Sequence, residues 1–357
     1  MPDISAIPER PLAPDLAPAD STSISALATA AFTDDGEPDI RRVLDSHCDW
    51  AGEFPWPGEG DTLGLWARMA QVAALDVSVA RAIEPHLDAL AILRQAAQDG
   101  QWSGIAPDGA TWGVFAAEGA SPRLAATKTS EGWRLTGVKP WCSLASDLSH
   151  ALITAWTGDD TRALFAVDLR GPGVRTGDGS QWVARGLPNI PSEAVTFTDV
   201  QTELVAESDW YTSRSGFWWG GIGVAACWFG GMCGVAERLV CPAPKRPRDQ
   251  VAWAHLGAVD TQLHIARVAL RDAAAQIDAG AADGAAAQVL ALRVRSIVRQ
   301  TADRVLATVA QATGPGPLAT EEQHARRVAG LELYIRQEHG PRDQVALAQL
   351  TVAEPTR

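Results

Sequence analysis

The chain has 357 residues, 46% hydrophobic and 20% charged, a balance that excludes a disordered protein and fits two or three globular domains. Its formal net charge of −13 repels nucleic acid and anionic lipid at long range, so neither is expected as a partner. The five cysteines (Cys48, Cys142, Cys227, Cys233 and Cys241) form no CxxC pair and no even-numbered framework, so free thiols and a cytoplasmic location are expected.

Residues 1–20 are rich in Pro, Ala and Asp without periodicity and read as a mobile tail. No basic region followed by an apolar one opens the chain, so no secretory signal is expected. Residues 21–108 read as an N-terminal helical domain. In "GLWARMAQVAALDVSVARAIEPHLDALAILRQAAQ" apolar residues recur three and four apart, and Pro85 predicts two helices or one kinked helix.

Residues 109–206 change texture. Short runs of Val, Thr, Trp and Phe at 112–117, 133–138, 151–156, 163–168 and 194–197 read as strands, punctuated by Gly132, Gly158, Gly171, Pro172 and Gly173. This is the pattern of a small antiparallel barrel or sandwich. Residues 207–357 read as a C-terminal four-helix-bundle-like domain. The uncharged run 216–235 is long enough for a membrane span, but it stands alone and is rich in Gly and Trp, so a buried helix is expected and no span. Leu263, Ala266, Leu270, Ala273 and Ile277 mark one apolar helix face, and Leu290, Val294, Val298, Val305 and Val309 another, with Gly280 and Gly284 between them. "TGPGPL" (313–318) ends the second helix, and a shorter helix follows at about 323–338.

The stretch "GWRLTGVKPWCSLASDLSHALITA" (132–155) sets a Trp-Cys-Ser tip between two strands. Gly132, Leu135, Gly137, Lys139, Trp141 and Ser143, in this order and spacing, resemble the middle domain of the acyl-CoA dehydrogenase family of flavoproteins. "AAEGAS" (116–121), "GLPNIPSEAVTFTDVQT" (186–202), "LGAVDTQLHIARVALRDAAAQID" (256–278) and "TGPGPL" extend the resemblance over most of the chain, as does the order helical, β, helical. It implies an α+β fold: an N-terminal helical domain, a middle antiparallel β-barrel domain and a C-terminal helical bundle. It implies FAD held between the middle domain and the C-terminal helices, with Ala117, Glu118, Ser121, Trp141, Cys142, Ser143, Gly314 and Gly316 at the cofactor. Trp141 would supply contact area beside the flavin ring and Ser143 a hydroxyl at its polar edge; the plainer alternative is a core aromatic and a turn residue.

Three departures from the family pattern matter. Ala117-Glu118-Gly119 lacks the threonine that often meets the flavin. Lys245, Arg246 and Arg248 supply positive charge where a phosphate-contacting Arg-x-x-Phe-Gly is expected, and are as readily a solvated loop. In "LYIRQEHG" (333–340), spacing from Tyr334 puts Glu338 at the base position, while His339 stands where related flavin hydroxylases carry a histidine.

The activity implied is α,β-dehydrogenation of an acyl thioester, on CoA or a carrier protein. A base takes the α-proton, a hydride passes to flavin N5, and the electrons go on to an acceptor flavoprotein or oxygen. The alternatives are a flavin-dependent monooxygenase on the same fold and a degenerate, non-catalytic family member. A homodimer or homotetramer is expected, because the family completes its FAD site across subunits. No HExxH, GxGxxG after a strand, or GxSxG occurs, so no metal, Rossmann or hydrolase site is expected. Glu84-Pro85-His86 is a candidate wall of the substrate cavity, with His86 more at home as a packing residue.

Overall fold

The computed structural model describes residues 16, 27, 31–119, 123–207, 209–240 and 249–352. Helices α1 (Ile40–Asp45), α2 (His47–Trp50), α3 (Thr62–Leu75) and α4 (Val77–Gln98) come first. Strands β1 (Trp112–Phe115), β2 (Ala125–Thr129), β3 (Gly132–Ser143), β4 (His150–Trp156), β5 (Arg162–Asp168), β6 (Val174–Arg175) and β7 (Ser192–Ala206) follow. Helices α5 (Trp210–Ser213), α6 (Ser215–Val240), α7 (Gln250–Asp278), α8 (Gly284–Thr313), α9 (Pro315–Thr320), α10 (Glu322–Tyr334) and α11 (Pro341–Val352) complete the chain. The expected tail at 1–20 lies outside the described residues, Leu16 apart.

The helical break expected at Pro85 falls at Asp76 instead. Asp76 is extended (φ −160°), and its Oδ1 caps α4 by accepting from Ser78 N at 2.7 Å. Its other oxygen accepts from Arg326 Nε of α10 at 2.9 Å. A carboxylate that serves a helix N-terminus and a buried arginine together fixes the boundary more strongly than a proline. Pro85 lies inside α4 and deprives Arg81 of the intrahelical donor position 85 would supply.

The seven strands form one sheet that is mixed rather than all antiparallel as expected, and the β4–β5 pairing closes the path β4-β2-β3-β7-β5 on itself. β3 pairs antiparallel with β2 and β7, and β5 with β4 and β7, but β4 runs parallel to β1 and meets β2 in parallel at Ala125↔Trp156. The β2–β3 hairpin intervenes between β1 and β4, so both enter the sheet in the same direction.

Helix α6 is the one helix among the described residues long and apolar enough to cross a membrane, and 78% of its most apolar window is buried in the protein. It packs against α3, α4, α7, α8 and α10. Glycines let it approach α3: a Cβ at Gly223 would meet Trp66 at 3.4 Å, one at Gly234 the Ala74 carbonyl at 2.6 Å, and one at Gly230 would run into the Ala70 carbonyl. The apolar faces expected on α7 and α8 are buried as read.

Candidate active site

The site begins at the end of β3. Lys139, 1% exposed, donates to Glu118 Oε1 at 2.8 Å and to the Thr154 carbonyl and hydroxyl at 2.8 and 2.9 Å. Burial works to raise the Glu118 carboxyl, but bonds from Lys139 and Trp156 and the charge of Arg162 outweigh it, and the net shift is downward. Glu118 is thus committed to a structural ion pair that anchors residues 116–119 on the sheet.

Between Lys139 and Cys142 the β3–β7 register slips, and Trp141 takes a left-handed backbone (φ 59°). The slip turns the indole outward, leaving it 63% exposed, and turns Cys142 inward. Burial pushes the Cys142 thiol up to about 12, so it is an inert packing group. Trp141 overhangs a cleft of about 690 Å³ walled by Pro140, Trp182, Val183, Ser192 and Leu333.

Ser143 points the other way. Its Oγ lies 2.7 Å from Ser192 Oγ and accepts from Arg81 Nη2 of α4 at 3.0 Å. Ser192 Oγ donates to the Ile190 carbonyl at 3.1 Å, so Ser143 is the donor within the hydroxyl pair. The second arm of Arg81 reaches Glu84 Oε2 at 3.4 Å. A line of polar groups therefore runs from Ser192, on the cleft below Trp141, to Glu84, on a second cavity.

That second cavity, about 410 Å³, lies between β1, α4, α6, α8 and the segment after α10. Arg81, Glu84, Asp88, Tyr211, Arg295, His339 and Asp343 supply its charged or ionisable wall, and Val114, Phe217, Trp218 and Leu292 much of its apolar one. Burial raises Glu84 to about 7, with Asp88 adding to the shift and Arg81 and Arg295 opposing it. Burial also raises Asp88, against the pull of Arg214. Arg295 donates to the carbonyls of Gly221 (2.6 Å) and Gln337 (3.0 Å) and stacks over Trp228 at 4.7 Å.

Other expected site residues are placed as follows. Glu338 has a fully buried side chain whose Oε2 lies 2.9 Å from Arg299 Nε, and it is not among the residues lining the cavity. A 3₁₀ turn at Ile335–Gln337 unwinds the end of α10, and His339, two residues beyond it, reaches the cavity wall. The His339 ring sits 3.5 Å from Asp343. Gly314 and Gly316 flank the α8–α9 turn with open space around both. Ser121, Lys245, Arg246 and Arg248 lie outside the described residues. Glu84 and Pro85 line the cavity as expected, while His86 is buried, accepts from Trp112 N at 3.2 Å and is held neutral by burial, at about 3. Sequence reasoning missed Arg81, Asp88 and Arg295. The available signal was the spacing of Arg81, Glu84 and Asp88, three and four apart, which sets three charges on one face of an otherwise apolar helix.

No family model and no curated protein matches the chain. Solved structures do. The dibenzothiophene monooxygenase TdsC from Paenibacillus sp. A11-2, in complex with FMN and indole, superposes with a TM-score of 0.71 at 17% identity over 96% of both chains. KijD3, in complex with FMN and a dTDP-linked amino-keto sugar, gives 0.74 at 17% identity over 94% of this chain and 92% of that one. Butyryl-CoA dehydrogenase from Megasphaera elsdenii gives 0.71 at 17% identity over 94% of each. The chain has the acyl-CoA dehydrogenase fold, as the sequence resemblance implies.

Proposed function

We propose that this chain is a flavin-dependent oxidoreductase that binds FAD or FMN against Trp141, with the ring's polar edge toward Ser192 and, through it, Ser143. The observation that carries the proposal is the outward Trp141 indole over an apolar cleft of about 690 Å³, two residues from a hydroxyl on the polar line to the charged cavity. A flat aromatic ring fits an exposed indole and apolar walls, and its polar edge fits the serine pair. When bound, a flavin supplies two-electron chemistry, taking a hydride or, once reduced, activating dioxygen. The neighbours in complex with FMN support a flavin here.

Of the two reactions the fold hosts, oxygenation of a small aromatic molecule that carries a polar group is our first reading. Arg81, Glu84, Asp88, Arg295, His339 and Asp343 offer partners for a polar group beside an apolar wall of Val114, Phe217, Trp218 and Leu292, and the carboxylate at 338 is engaged by Arg299. Arg295 would hold an anionic or carbonyl oxygen, and His339, oriented by Asp343, would exchange a proton with the substrate. Dehydrogenation of an acyl thioester stays open as a second reading because Glu84 offers a buried carboxylate near neutrality in the same cavity.

The test starts with purified protein, denatured to release any flavin and separately offered FAD and FMN. Absence of both bound and recoverable flavin rejects the proposal and favours a non-catalytic member of the fold. With flavin bound, anaerobic bleaching by butyryl-CoA selects dehydrogenation. An oxygen-dependent product from indole with externally reduced flavin selects oxygenation.

A further inference from the structure

Glu84 is the one carboxylate that both lines the charged cavity and touches the polar line to Ser143. Its ion pair with Arg81 is loose, at 3.4 Å, whereas the same guanidinium bonds Ser143 Oγ at 3.0 Å. Arg81 is therefore shared between two acceptors on different elements, one on β3 and one on its own helix. The other groups that act on Glu84 are fixed elsewhere: Asp88 on α4, Tyr211 on α5, Cys227 on α6, Arg295 on α8 and Tyr334 on α10. Burial keeps Tyr211, Cys227 and Tyr334 uncharged at neutral pH, and Arg295 is tied to two backbone carbonyls. Arg81 is the cation of the set that two side chains share.

We propose that Arg81 couples the protonation of Glu84 to the redox state of a flavin seated at the Ser192–Ser143 pair. The inference rests on the flavin reading above. A reduced ring with its polar edge at the Ser192–Ser143 pair would carry negative charge there and would draw the Arg81 guanidinium toward β3. Glu84 then loses part of its compensating charge and takes one proton from solvent through the cavity. Reoxidation returns Arg81 to Glu84 and releases that proton. The electrons come from whatever reduces the flavin, the proton from water, and no bond other than the Glu84 O–H forms or breaks in the coupling step. The cavity is thus charged for accepting a substrate proton while the ring is oxidised, and neutralised at Glu84 once the ring is reduced.

The experiment is the midpoint potential of the FAD-loaded protein as a function of pH, with the electrode as electron source. One extra proton per two electrons is expected across the neutral range, seen as a steeper fall of potential with pH. Glu84→Gln should remove that extra proton. Arg81→Met should remove it too, while the Glu84 carboxyl, followed by ¹³C NMR of labelled glutamate, still titrates. Glu237→Gln, at the distant Arg327 ion pair, should leave the dependence as it is. No extra proton in the wild type, or an undiminished one in both Glu84→Gln and Arg81→Met, overturns the proposal. The NMR titration also runs without flavin: a Glu84 carboxyl ionising in the ordinary carboxylate range overturns the coupling independently of flavin uptake. Failure to take up flavin while Glu84 titrates near neutrality overturns the flavin reading instead.

Discussion

At the scale of single residues, burial decides what each ionisable group does. Glu84 passes from an ordinary value of 4.5 in the unfolded chain to about 7 in the fold. The folded state holds the proton more tightly, so this group's stability contribution is full below about 4.5 and is lost as pH rises toward 7. That loss is on the order of 3 kcal/mol. Glu84→Gln should therefore flatten the difference in denaturant-unfolding free energy between acid and neutral pH, and should be more stable than the wild type at pH 8. An unchanged profile would show that Glu84 is solvated in the fold. Burial works against the Lys139 ammonium too and lowers its pKa in spite of Glu118, but the three bonds it makes are lost together on removal, which leaves Glu118 with only Trp156 and Arg162. Lys139→Met should cost about 3 kcal/mol by urea unfolding. Arg41→Ala, which breaks a solvent-exposed pair with Asp147, should cost under about 1 kcal/mol. Equal costs would refute the claim that burial sets the value of these pairs.

At the scale of elements, α6 shows how glycine spacing builds a packed layer. Gly223, Gly230 and Gly234 lie on the side of α6 that meets Trp66, Ala70 and Ala74 of α3. Gly230→Ala would press a methyl onto the Ala70 carbonyl, a backbone atom that cannot swing away, and should destabilise by about 3 kcal/mol. Gly257, on an exposed turn of α7 with nothing within 4 Å of its missing Cβ, is the control. Gly257→Ala should stabilise by about 0.5–1 kcal/mol, because alanine restricts the unfolded chain and favours helix. Thermal unfolding of the two variants should move in opposite directions. This layer was legible in the sequence as an uncharged Gly- and Trp-rich run, since only burial satisfies such a surface. The helix boundary at Asp76 was not, because it depends on an arginine 250 residues away in the chain. Five of the seven strands were legible from residue type, though β3 and β7 run well past the expected ends and β2 and β6 gave no signal, and strand direction was not legible: the β1–β4 pairing depends on partners outside any local window. The Trp141-Cys142-Ser143 tip was legible as a motif, whereas Glu338 was chosen by counting from Tyr334, and a 3₁₀ turn changes what such a count means.

At the scale of the whole molecule, α7 carries the remaining question. Its inner face (Val259, Leu263, Ala266, Leu270, Ala273 and Ile277) is buried in the chain's own core. Its outer face nevertheless presents Val251 at 63%, Ile265 at 41% and Val268 at 49% exposure. A helix apolar on both faces is suited to a second buried surface, and closed two-fold pairing is the commonest way to supply one. We expect a homodimer, or a dimer of dimers, with α7 at the contact. Light scattering at micromolar concentration should give at least twice the monomer mass of 37.8 kDa. Ile265→Asp combined with Val268→Asp places two charges on that face without touching the inner one, and should shift the mass toward the monomer while the helical circular dichroism is retained. If flavin binding is completed by a neighbouring subunit, the same pair of changes should also weaken flavin retention on gel filtration, although Trp141, Ser143 and the charged cavity are untouched. A wild-type monomer that keeps its flavin would remove both expectations at once. An α7 variant that stays oligomeric would move the contact to another face.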